Sequence, residues 1–214
     1  MIKTLYSKAD IRKALNLPGF DVEAAQNKMI PRPRGTRLPE SSGPTRQGGV
    51  LILLYLLDGQ NYLVLTRRRD DLQAHAGQIS FPGGQREDGE SLQEAAIREA
   101  QEEVGIKPVN LSILGHLECL YIPPTDYEVY PFVAWHNGRP RFTAQEEEVA
   151  EILEVPLGHL LDPANHYEEL WEIRGFQVQV PYYLVGSHKV WGATAMILSE
   201  FLERIIALDS PQRR

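Results

Sequence analysis

The chain alternates between short apolar runs and turn-forming clusters, with few long periodic segments. Gly49 to Leu57, GVLILLYLL, is dense enough in apolar residues to predict a strand. Asp58-Gly59-Gln60 predicts a turn, and Asn61 to Thr66 returns as a second strand, since Asp-Gly between apolar runs signals a hairpin. Further strands are predicted over 111–121, 127–136, 147–154 and 176–185. Pro181 marks the last as an edge or a bulge. Helical spacing predicts three helices. A short one over 8–15 is opened by Ser7. One from about Ser91 to Val104 has a Ser91–Glu94 capping box and Gly105 as its C-terminal cap, and an amphipathic one covers Trp191 to Leu208. Pro156 should start a helical turn. Residues 26–47 are rich in proline and arginine and read as an extended arm, positive through Lys28, Arg32, Arg34, Arg37 and Arg46. Several strands with about two long helices define an α+β domain with an antiparallel or mixed sheet.

Composition narrows the class. The 214 residues carry 22 Lys and Arg against 29 Asp and Glu, a net charge of −7, which leaves no basic excess for general nucleic-acid binding. No apolar run approaches the roughly 18 residues of a membrane-spanning helix, and the N-terminus does not resemble a secretory signal. The single cysteine, Cys119, lies in the apolar run LECLY and reads as a core or strand position. One cysteine excludes an intrachain disulfide and fits a reducing, cytoplasmic setting.

The candidate chemistry lies in GGQREDGESLQEAAIREAQEEVGI, Gly83 to Ile106, which holds seven acidic residues. On the predicted helix Ala96, Ile97, Ala100 and Val104 share one buried arc. Glu99, Glu102 and Glu103 share another arc of roughly 100°. Like charges at this spacing cost about a few tenths of a kcal/mol per pair, and the C-terminal end of the helix dipole adds to the repulsion. A solvated acidic face is one explanation. A divalent cation that reverses the local electrostatics is the other. Arg98 reaches Glu94 and Glu102 at i,i+4. Glu90 precedes the helix and can face the same site, and a carbonyl from the Gly83-Gly84 turn would add an oxygen. Hard oxygen donors suit Mg²⁺ or Mn²⁺, and such a site supports diphosphate hydrolysis.

The run Gly84, five residues, Glu90, seven residues, then Arg98-Glu99-Ala100-Gln101-Glu102-Glu103-Val104-Gly105-Ile106 resembles the Nudix box. Every fixed glycine, glutamate and arginine is present. Ala100 stands where the family usually has a larger aliphatic residue. The resemblance implies a Nudix α/β/α sandwich with the box as loop–helix–loop. It also implies hydrolysis of a small-molecule nucleoside diphosphate derivative. Glu99, Glu102, Glu103 and the Gly84 carbonyl would be metal ligands, Glu99 is the candidate base, and Arg98 and Glu90 would orient them. Residues 46–209 are then the Nudix domain, 1–45 an N-terminal helix and arm, and 210–214 a tail.

LTRRRDDLQAHAGQISFPGG, Leu65 to Gly84, resembles the additional motif of the coenzyme A pyrophosphatase branch through Leu65, Thr66, Arg68, Gly77, Phe81, Pro82, Gly83 and Gly84. Val190 to Leu198 resembles that branch's tail helix. Arg69 replaces the branch's Ser or Ala, and Gln73 replaces its Arg. This points to coenzyme A, cleaved to 3′,5′-ADP and 4′-phosphopantetheine, with ADP-ribose, NADH or a dinucleoside polyphosphate as the alternatives. A non-enzymatic nucleotide-binding module is a third reading. Arg68 is the foremost phosphate contact, and Arg67, Arg69 and His75 are further candidates, although strand alternation should prevent all three arginines from facing one ligand. His116 reads as structural. Glu147 and Glu148 are candidates for an additional carboxylate, against the plain reading of an exposed strand edge. The aromatics of PPTDYEVY, 123–130, and Trp171, Phe176, Tyr182 and Tyr183 would stack on adenine or fill the core. The apolar C-terminus and the arginine-bearing arm allow a homodimer.

Overall fold

The computed structural model describes residues 5–33, 45–72, 76–173 and 175–210. The apolar run GVLILLYLL lies within β1 (Arg46–Leu57), and its burial explains its composition. Ile52 and Leu54 enter one hydrophobic cluster, while Leu51, Leu53 and Tyr55 enter another. A strand covered on both faces has no polar positions to alternate with. The Asp58-Gly59 turn leads to β2 (Gln60–Arg68), which pairs antiparallel with β1. β3 (Ile79–Ser80) and β4 (Gly83–Gln85) follow as short strands, then the box helix, α3 (Leu92–Val104), the third after α1 (Lys8–Leu15) and α2 (Val22–Asn27).

β5 (Leu111–His116), β6 (Leu120–Ile122), β7 (Tyr127–His136) and β8 (Val149–Pro156) complete a mixed eight-stranded sheet. Its path is β3-β2-β1-β7-β5, with β4 on β1, β6 on β7 and β8 on β2. β1 and β7 run parallel, and the other pairs are antiparallel. The helix α3 covers one face through Ala96, Ala100 and Val104. The other face is covered by α1 (Lys8–Leu15), α4 (Leu157–Leu161) and α5 (Gly192–Asp209). β9 (His166–Ile173), β10 (Phe176–Val185) and β11 (His188–Trp191) form a separate sheet in the order β11-β10-β9.

Several expectations are corrected. The strand predicted over 111–121 is split into β5 and β6, with a register shift between Ile113 and Gly115. Cys119 falls in the connection and is exposed. His116 is exposed at the end of β5, against the ring edge of Phe132. A helix not anticipated, α2 (Val22–Asn27), is capped by Asp21 and occupies the start of the predicted arm. Lys28 pairs with Glu203 on α5, and Arg46 already belongs to β1. Arg34 and Arg37 lie outside the described residues. β10 is a central strand, yet β11 pairs only its residues 182–185. Arg32 bridges Gln179 on the same side, so the missing N–H of Pro181 falls in the gap between these partners.

The N-terminal helices are tied into the same core. Ile11, Ala14 and Leu15 are buried in it. Arg204 on α5 pairs with Glu200 and donates to the Leu15 carbonyl, and Gln26 donates to Glu200. The apolar residues of α5, one reason to expect a homodimer, are spent on this core. Ile197, Leu198, Phe201, Leu202 and Ile205 are all buried. Among the described residues no helix is long and apolar enough to cross a membrane.

Candidate active site

The site is built on four glycines. β4 lies against β1 with Gly49 opposite Gly84 and Val50 opposite Gly83. A Cβ on Gly49 would run into the Leu92 carbonyl and Ala96, so this glycine lets α3 approach the sheet closely. A Cβ on Gly84 would fall on the carboxyl group of Glu99. One on Gly48 would overlap the Tyr127 hydroxyl and the Gly84 carbonyl oxygen. The carboxylate of Glu99 therefore lies over bare backbone beside that carbonyl.

The helix is set by local chemistry. Ser91 and Glu94 exchange both capping-box bonds, and Gly105 closes the helix in the left-handed conformation at φ 71°. Glu94 is consumed by the cap, which is why Arg98 does not meet it as expected. Arg98 instead grips Glu90, with Nη2 2.8 Å from Oε1 and Nε 3.2 Å from Oε2. Its Nη1 reaches Glu99 at 2.9 Å and Glu102 at 3.3 Å, and Nη2 also donates to the Gln85 carbonyl. This planar fork orders three carboxylates and the strand before them. The Arg98 bond holds the Glu90 carboxyl below the usual range, assisted by the Glu87 N–H.

The three glutamates of the predicted acidic arc have different surroundings. Glu102 is exposed, Glu99 is largely covered, and Glu103 is buried at 5% exposure. Burial raises the Glu99 pKa against the opposing pull of Arg98. Burial, followed by repulsion from Glu99, pushes Glu103 up to about 8, despite the charge of Arg68 and a bond from the Gly83 backbone. Glu103 Oε2 has no hydrogen-bond partner among the described residues. An orphaned, buried carboxylate oxygen is costly unless something else satisfies it. A hard divalent cation matches that need, and the oxygen donors Gly84, Glu99, Glu102 and Glu103 suit it. No three acidic, histidine or cysteine groups among the described residues already converge in a metal geometry. Arg98 Nη1 engages one oxygen each of Glu99 and Glu102, so a bound cation would share these carboxylates with the guanidinium.

Opposite the helix, Arg68 lies 3.5 Å from Glu148 through Nη2, and its buried Nε has no partner among the described residues. The segment before β8 is fastened to the helix end by Thr143 N–H to the Val104 carbonyl and Gln145 N–H to the Glu103 carbonyl. This brings Glu148 close enough to raise the pKa values of Glu99 and Glu103, while Glu147 is exposed. The other predicted arginines are engaged elsewhere. Arg67 pairs with Asp70 and faces Glu151. Arg69 makes a two-pronged pair with Asp71 and donates to the Glu146 carbonyl. His75 and Gln73 lie outside the described residues.

Gly48 and Gly49 were not singled out from the sequence as site residues, and Tyr127 was read there only among the aromatics of 123–130 that would stack on adenine or fill the core. The adjacent glycines opening an apolar strand were the available signal, since such glycines mark close backbone approach. The later aromatics divide. Tyr183 is core, Phe176 is exposed, and Trp171 and Tyr182 cluster with Trp191 under Lys189.

Comparison with known proteins agrees with this architecture. The NUDIX domain model matches residues 45–173. An uncharacterized Nudix hydrolase, NudL, of Pectobacterium atrosepticum is 37% identical over 177 residues, covering 79% of this chain and 89% of that protein. Nudix hydrolase 3 of Caenorhabditis elegans is 27% identical over 191 residues, covering 81% and 79% respectively. In fold, a MutT/nudix family protein from Enterococcus faecalis superposes with a TM-score of 0.55 at 16% identity, covering 95% of this chain and 76% of that one. The chain belongs to the Nudix hydrolase family, whose members generally use divalent metal ions.

Proposed function

We propose that this chain hydrolyses the diphosphate bond of coenzyme A or a close derivative, yielding 3′,5′-ADP and 4′-phosphopantetheine. The observation that carries the metal-dependent chemistry is the orphaned, buried oxygen of Glu103, within electrostatic reach of Arg68, whose Nε, like that of Arg67, has no hydrogen-bond partner among the described residues. One asks for a cation and the other for an anion. Mg²⁺ or Mn²⁺ would be held by Glu99, Glu102, Glu103 and the Gly84 carbonyl, supplying charge neutralisation and an activated water. Arg98 and Glu90 keep those carboxylates in register. Glu99 is the candidate base for the water proton. Glu148, across the site, is the additional carboxylate in preference to exposed Glu147. Arg68 binds phosphate oxygen, giving up its 3.5 Å contact with Glu148.

Coenzyme A is favoured by the matched residues from Leu65 to Gly84. A second reading, with ADP-ribose, NADH or a dinucleoside polyphosphate as substrate, draws on the Arg69–Asp71 pair. That pair engages Arg69, which stands where the branch usually has Ser or Ala and would have to offset the arginine missing at Gln73. Comparison of kcat/KM for coenzyme A, dephospho-coenzyme A and ADP-ribose separates the two. A strong loss without the 3′-phosphate supports coenzyme A, and preference for ADP-ribose refutes it. A purely nucleotide-binding module is disfavoured because binding alone needs no set such as Glu90, Arg98, Glu99, Glu102 and Glu103.

A further inference from the structure

Tyr127 opens β7 and lies opposite Arg46 in the parallel register with β1. Its hydroxyl rests over the bare backbone of Gly48, where a Cβ would overlap both that hydroxyl and the Gly84 carbonyl oxygen. The two oxygens are therefore near neighbours. The carboxyl group of Glu99 lies over the adjoining face of Gly84 and is close enough to act on the phenol electrostatically. Among the described residues the hydroxyl has no hydrogen-bond partner. The ring is held from its other side. The Arg46 guanidinium carbon is 5.6 Å from the ring centroid, and Arg46 Nη2 is anchored on the Thr125 carbonyl at 2.7 Å.

A phenol in this position is a fixed donor among acceptors. The surrounding oxygens, Gly84 carbonyl and Glu99 carboxylate, are those assigned above to a cation. Once their lone pairs face a cation, the acceptor left for the hydroxyl is the anion that the cation carries. We propose that Tyr127 is a further substrate-binding residue of this site, donating a hydrogen bond to a non-bridging oxygen of the substrate diphosphate, with Arg46 fixing the ring. This rests on the metal-dependent diphosphatase reading. It adds to that reading a contact on the side of the site opposite Arg68.

The probe is methylenediphosphonate, whose P–C–P bridge resists hydrolysis, titrated calorimetrically in the presence of Mn²⁺ into wild type and Tyr127→Phe. Phenylalanine keeps the ring and its packing with Arg46, so the melting temperature and the affinity for Mn²⁺ alone should stay at wild-type values. Diphosphonate affinity should fall about tenfold or more, the range for a hydrogen bond to a charged group, and KM for the nucleotide should rise with it. If wild type binds the diphosphonate and the variant binds it equally, the assignment of Tyr127 is overturned while the metal site stands. If wild type itself shows no Mn²⁺-dependent binding, the diphosphatase reading fails and this inference fails with it.

Discussion

Replacing Glu103 with glutamine should shift the stability of the metal-free protein increasingly in the variant's favour as pH rises. A carboxyl whose folded pKa exceeds its unfolded value binds more protons in the folded state, so its contribution to stability falls as pH rises through the interval between them. For Glu103 that interval runs from 4.5 to about 8. At about 1.36 kcal/mol per pKa unit, ionising this group costs the fold about 2 kcal/mol at pH 6 and about 4 kcal/mol at pH 8. Glutamine can still accept the Gly83 N–H, but an amide nitrogen left unpaired would cost about 1–3 kcal/mol. That cost does not vary with pH, so the useful quantity is the change in the variant's advantage between pH 6 and pH 8, about 2 kcal/mol. For a chain of this size that corresponds to about 4–8 °C in Tm. Urea unfolding at both pH values, in the presence of a chelator, measures the quantity directly. Mn²⁺ should then stabilise wild type at pH 8 and have little effect on the variant. A variant whose advantage is flat or shrinks from pH 6 to pH 8 would refute the assignment of Glu103 as a buried, titrating carboxyl.

Two other substitutions test the geometry. Gly84→Ala places a Cβ on the Glu99 carboxyl group, and should lower kcat about a hundredfold by displacing it while costing about 1–3 kcal/mol in stability. Wild-type kcat in a folded variant would show that Glu99 is not used in that position. Arg68→Ala removes the charge-assisted phosphate contact, and should raise KM about ten- to a hundredfold with a smaller effect on kcat. Unchanged KM in steady-state kinetics would assign Arg68 to the Glu148 pair alone.

What the sequence disclosed was governed by range. The box helix was legible because its determinants are local. Ser91, Glu94 and Gly105 act within a turn of the ends they cap. The hairpin at Asp58-Gly59 was legible for the same reason. Glu103 was grouped with the exposed carboxylates, although it lies seven residues after Ala96 and three after Ala100, on the face that packs against the sheet. The charge of the residue outweighed its position in that reading. The partner of Arg98 was half legible, because the i,i+4 rule offers Glu94 and Glu102 equally and only the competing cap at Ser91 decides between them. The six-residue helix Val22–Asn27 buries only Ala25 of its own residues, so its apolar periodicity is weak. Tyr127 was legible only as one of the aromatics of 123–130 offered for adenine stacking or the core, because its place over Gly48 depends on the parallel pairing of β1 with β7, some 80 residues apart in the chain.

The proposed chemistry is tested most directly by identifying products by mass after incubation with coenzyme A, with Mg²⁺ or Mn²⁺ present and again with the metal chelated. The predicted result is 3′,5′-ADP and 4′-phosphopantetheine in equal amounts, with most of the product lost on chelation. Recovery of intact coenzyme A with metal present, together with tight metal-independent binding and no cleavage of ADP-ribose, NADH or dinucleoside polyphosphates, would contradict it.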